Sequence, residues 1–181
     1  MTPIFRRSKK DVFLSRRDWE TSNDPRKLVA LLHAEQPKFF RKQIKELHRF
    51  LIACCWQNEH LIPQAALREG LKGAERYING EISTRELNDL DWYAEAAVFA
   101  IEYARTDEQI VQLKSLISGV DAVRELPFEE AKAVMLDAAY FAEGSIIFPR
   151  ISGAPWVERL FTSQFLSADL LREFVHPVFA N

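Results

Sequence analysis

Residues 83–103 read STRELNDLDWYAEAAVFAIEY. Ser83 followed by Glu86 is a capping box, in which each side chain bonds the other residue's backbone N–H at a helix start. From there Leu87, Leu90, Ala94, Ala97, Val98 and Ile101 recur every three or four positions, which is one face of a helix. The other side holds Trp92, Ala96, Phe99 and Tyr103. A helix apolar on two sides predicts a central element with neighbours packed against both. Nothing in the stretch alternates with period two, so the fold is predicted from helices.

The same punctuation repeats on either side. Upstream, Ser15 with Asp18 makes a capping box before Trp19, and Asp24-Pro25 sets a capping carboxylate before a proline at the first helical position. A long helix is predicted from Pro37 to Leu61, with Ile44, Leu47, Leu51, Cys54 and Cys55 on one face. Pro63 opens the next helix, Gly70 and Gly73 inside it predict close helix packing, and Asn79-Gly80 ends it. Downstream, Thr106 with Gln109 is a further capping box, and Pro127 opens a helix that Gly144 ends. Residues 145–151 (SIIFPRI) carry β-branched residues interrupted by Pro149 and read as an irregular extended crossing. A last helix runs from Ala154-Pro155 through Phe174, stopped by Pro177. The expectation is an all-α single domain of about seven or eight helices over residues 15–181, with a basic N-terminal arm at 1–14.

Composition supports this reading. The chain has 181 residues, 48% hydrophobic and 28% charged, which is ordinary globular usage. No apolar run is long enough to cross a membrane. The N-terminal stretch lacks the apolar core of a secretory signal, and two adjacent cysteines form no disulfide framework, so the expected compartment is the cytoplasm. Charge is distributed unevenly. Residues 1–49 hold 13 Lys/Arg against 6 Asp/Glu, whereas residues 50–181 hold 11 against 20. The halves are expected to attract each other or different partners.

Residues 19–90 resemble a family of uncharacterised bacterial all-helical proteins. The resemblance rests on Trp19, Asp24-Pro25, the basic run from Arg41 to Arg49 leading into FLIACCW (50–56), GAERYING (73–80) and EISTREL (81–87). DLLREFVHPVF (169–179) is similar to that family's closing motif. Trp56 and Gln57 follow Cys55 where basic residues are usual in the family. The resemblance implies a soluble helical domain and no activity.

Candidate chemistry is sparse. His48, Cys54, Cys55 and His60 are close in sequence, but their helical angles diverge and the metal-ligand spacings are absent, so they read as buried small residues and an inner-face histidine. Asp91, Glu95 and Glu102 form an acidic stripe, read as a solvated seam or a partner for the basic N-terminal helices. No E-x-x-H pair accompanies it, and no nucleophile or phosphate-loop motif occurs. No cofactor or metal is therefore expected. The basic residues are the candidate interaction surface: Arg16, Arg17, Lys38, Lys42, Lys45 and Arg49, with Arg6, Arg7, Lys9 and Lys10 ahead of them. In the aromatic C-terminus Trp156, Phe161, Phe165, Phe174 and Phe179 read more as core, and any left exposed would form a patch for a partner helix or a second copy, with Trp156 and Phe174 the candidates that extend the interaction surface. The leading expectation is a non-enzymatic cytosolic interaction protein of adaptor, immunity or regulatory type, binding a protein partner or itself. Sequence-independent nucleic-acid binding through the basic stripe is the second. An enzyme with a carboxylate or histidine in a helical pocket is the third.

Overall fold

A computed structural model describes residues 14–62, 64–115, 123, 125–151 and 158–179, the side chains of 151 and 158 excepted. The secondary structure of the described residues is all helical, without strands, and they form one compact domain with one core. The helices are α1 (Arg16–Thr21), α2 (Pro25–Glu35), α3 (Pro37–Lys42), α4 (Ile44–Gln57), α5 (Ala65–Ile78), α6 (Thr84–Glu102), α7 (Asp107–Ser115), α8 (Phe128–Ile146), α9 (Phe148–Ile151), α10 (Glu158–Phe161) and α11 (Ala168–Phe174). The 1–14 arm lies outside the described residues except for Leu14, which is buried.

Local chemistry sets the helix starts. Ser15 accepts from the Asp18 N–H, and Asp24 accepts from the N–H groups of Arg26 and Lys27. Ser83 and Glu86 form their reciprocal box, and Thr106 with Gln109 does the same. Gly80 ends α5 with φ +77°, the left-handed conformation that glycine adopts without steric cost.

The expected long helix is three pieces. It breaks at Gln43 between α3 and α4, and again at Asn58, after which a 3₁₀ turn covers Glu59–Leu61. Asn58 donates its side-chain amide to the Cys54 carbonyl (2.8 Å) and to the Phe165 carbonyl (3.3 Å), which fixes this end. Residues 145–151 are not extended. α8 continues through Gly144 to Ile146, and α9 follows directly. Ile146 and Phe148 are fully buried, so burial on all sides outweighs β-branching here. The expected last helix is also divided: α10 ends at Phe161 and α11 begins at Ala168 under a Ser167 cap. These breaks raise the helix number above the seven or eight expected.

The centre is α4. Leu47, His48, Phe50, Leu51, Ile52, Cys54 and Cys55 are all buried, and α4 packs against α3, α5, α8, α9 and α11. α8 runs alongside, buried at Ala131, Met135, Ala138, Ala139, Phe141 and Ala142. Gly70 and Gly73 let α5 lie close to its neighbours. A Cβ at Gly70 would sit 2.5 Å from Ile146 Cδ1, and one at Gly73 would strike Leu90 Cδ1. The close packing expected of this pair is present. α1 is tied to the far end of the chain by Arg172, whose guanidinium donates to the Trp19 carbonyl at 2.7 Å and to the Ser22 carbonyl.

α6 is not central. It packs on α5 and α8 through Leu87, Ala94, Ala97, Val98 and Ile101, and its second apolar side faces solvent.

Candidate interaction surface

The capping box and the Leu87–Ile101 stripe fix which side of α6 turns inward, so the opposite side must turn out. Trp92 is 70% exposed, Tyr93 65%, Tyr103 60% and Phe99 42%. The Phe99 and Tyr103 rings touch, with centroids 5.9 Å apart and planes tilted by 52°. Tyr140 on α8 is also exposed and lies near Tyr103 and Glu102, so the patch continues across the α6–α8 seam. Ala96 and Ala100 are exposed between the aromatic residues. A soluble chain rarely leaves several large apolar side chains together in water unless something covers them.

The acidic stripe does not behave as one unit. Glu95 is exposed, Glu102 half-buried, and Asp91 half-buried beneath the α6–α8 seam. Arg150 on α9 pairs with Asp91 at 3.2 Å. The N-terminal basic helices do not supply this partner, and among the described residues no ion pair joins residues 14–49 to the rest. The second oxygen of Asp91 is buried without a hydrogen bond, and burial pushes this carboxyl up. Glu143 on α8 faces the same seam. Burial and then the charges of Asp91 and Glu95 raise its pKa to about 7, with Arg150 partly opposing. Glu143 also lines a cleft of about 790 Å³ with Arg26, Asp137, Tyr140, Arg159 and Ser163. A carboxyl that titrates near neutrality can carry protons, but no histidine lines this cleft. Sequence reasoning passed over Glu143. The signal was a lone acid inside the apolar run from Ala138 to Phe148.

His48 is 1% exposed, its Nε2 has no hydrogen-bond partner, and its ring packs on Phe148 with centroids 6.0 Å apart. Burial depresses its pKa to about 4, partly offset by backbone carbonyls at Ser145 and Ile146. Burial pushes the Cys54 thiol up to about 12 and raises Cys55 as well. Among the described residues, no group of three or more His, Cys, Asp or Glu is placed to hold a metal ion.

The basic candidates are dispersed. Arg16 stacks over the Phe179 ring at 5.8 Å, and Arg17 is exposed. The break at Gln43 splits the stripe. Lys42 and Lys45 line one shallow cleft with His48 and Ser83, whereas Arg49 turns to others, pairs with Glu46 at 3.0 Å, and shares them with Glu173 and Phe174. Lys38 is exposed on α3. Phe174 is half-buried against the core, and Phe161 and Phe165 are buried in it. Trp156 lies outside the described residues, as do Arg6, Arg7, Lys9 and Lys10.

No family model, curated protein or solved structure matches the chain. Nor is any described helix long and apolar enough to cross a membrane.

Proposed function

We propose that this chain is a non-enzymatic interaction protein that binds a helical protein partner along the outer face of α6. One observation carries the reading: Trp92, Phe99 and Tyr103 stand in water on one side of one helix with Ala96 between them, and Tyr93 is exposed on the flank of the same face. Aromatic anchors on a rigid helix are the side chains that most often dominate binding energy at protein interfaces. The buried, unreactive cysteines are in keeping with a reducing cytoplasm. The nucleic-acid reading has weaker support, because the basic stripe is split and Glu46 and Glu173 sit beside Arg49. The enzymatic reading rests on Glu143, with no histidine in its cleft to activate the hydroxyls of Thr162 and Ser163 that line it.

The test is site-specific photocrosslinking in the native cell. A photoreactive residue at Tyr93 is expected to yield a discrete polypeptide adduct, while the same residue at exposed Glu59 yields none. Equal, diffuse labelling at both positions would overturn the reading.

A further inference from the structure

We infer that the partner covering the outer face of α6 is a second copy of this chain, with the two α6 helices antiparallel about a twofold axis. This rests on the reading of α6 as the docking face. The first argument is area. An aromatic side chain presents about 200 Å². The exposed fractions of Trp92, Tyr93, Phe99, Tyr103 and Tyr140 then amount to roughly 550 Å² per copy. Two copies would remove roughly 1,100 Å² from water, above the about 1,000 Å² that a specific interface needs.

The second argument is the layout of small residues. Successive residues turn by 100°, which puts Ala96, Phe99 and Tyr103 within about 40° of Trp92. The midpoint between Trp92 and Tyr103 falls at residues 97–98, flanked on the outer face by Ala96 and Ala100. At that crossing Phe99 of each copy faces the small Ala96 of its partner, so a large side chain meets a small one and the helix axes can reach the usual contact distance. Trp92 of one copy then lies toward Tyr103 of the other. A self-complementary patch of this kind is what a twofold interface requires.

The third argument is charge. Arg85 and Asp89 lie on the same stripe toward the N-terminal end of α6, both exposed. Arg105 follows the C-terminal end, with Asp107 and Glu108 after it, all exposed. Antiparallel pairing brings Asp89 toward the partner's Arg105, and Arg85 toward the end that carries the partner's Asp107 and Glu108. It also sets the two helix dipoles in opposition. Parallel pairing would place Arg85 against Arg85 and Asp89 against Asp89, which is repulsive.

Sedimentation of the full chain over a concentration series tests this. A reversible dimer is expected, and Ala96→Arg is expected to weaken it by at least about tenfold, since a long cation then occupies the crossing. Ala96 is exposed, so the variant should keep the wild-type melting temperature. Asp89→Arg and Arg105→Asp should each weaken the dimer, and the double reversal should restore it. A spin label at Asn88→Cys reads the direction: antiparallel helices separate the two labels by about 30 Å along the axis, parallel ones by about 10 Å. A dimer insensitive to Ala96→Arg, or a short label distance, overturns the inference. A monomer at every concentration overturns it too. If that monomer still gives a Tyr93 adduct with a different polypeptide, the docking face stands and only its occupant was wrong. If it gives no adduct, both fall.

Discussion

α4 and α6 both carry apolar residues on more than one side, and they end in opposite places. α4 turns Leu47, Phe50, Leu51 and Ile52 into the core in several directions, because five other helices surround it. Among the described residues α6 packs mainly on α5 and α8 and leaves Trp92, Tyr93, Phe99 and Tyr103 outside. The difference lies in the kind of apolar residue and in the number of elements available to cover it. The inner face of α6 is built from Leu, Ala, Val and Ile, which pack closely against α5 and α8. Its outer face is Trp, Tyr and Phe spaced by alanine, a pattern that suits a detachable contact better than a permanent core.

The largest effect that would break the comparison comes from truncating one aromatic residue on each helix. Phe50→Ala is expected to cost about 3–5 kcal/mol of stability, read by denaturant titration. Trp92→Ala, measured on monomeric protein, is expected to stay within about 0.5 kcal/mol of wild type. A loss of several kcal/mol at Trp92 would mean that the outer face is core after all.

Next come two groups that titrate against each other. His48 on α4 stays neutral in the folded state down to about pH 4, whereas the unfolded chain takes up a proton below 6.5. Its contribution is therefore lost as pH falls from 6.5 to 4, up to about 3 kcal/mol. Glu143, beside Asp91 of α6, holds its proton to about pH 7, whereas the unfolded chain releases it near 4.5. Its contribution is lost as pH rises from 4.5 to 7, also up to about 3 kcal/mol. The two slopes oppose each other over their shared window. Glu143→Gln should expose the His48 slope, with stability rising between pH 4 and 6.5. His48→Gln should expose the other, with stability falling between pH 4.5 and 7. Urea melts of both variants across that range check the signs, and parallel profiles would show that neither group is desolvated.

Smaller changes act on the seating of α6 itself. Gly73→Ala drives a methyl into Leu90 and is expected to cost about 1–3 kcal/mol, seen as a lower urea midpoint. Ser83→Ala removes half of the α6 capping box and should cost about 1 kcal/mol in the same assay.

Much of this architecture is legible in the sequence because the signals are local. Capping boxes at Ser15, Ser83 and Thr106, the Asp24-Pro25 start and the Asn79-Gly80 stop need only neighbouring residues, and each is formed as read. The break at Gln43 and the helical form of 145–151 are decided by what packs across them, which no local pattern contains. The same holds for α6. Periodicity shows two apolar sides but not how many helices remain to cover them. The placement of Lys42 and Arg49 on separate clefts follows from the same break. Glu143 went unread because its raised pKa comes first from burial in the tertiary fold and then from Asp91 and Glu95, some fifty residues away along the chain.

Cys54 and Cys55 are fully buried in the middle of α4, and burial holds both thiols in the protonated, unreactive form. A thiol-specific dye added to the native protein would find nothing to attack until the core itself opens. Its incorporation rate would then act as a stopwatch for global opening, blind to fraying at the edges. The pair gives the molecule a built-in clock for how often its centre comes apart.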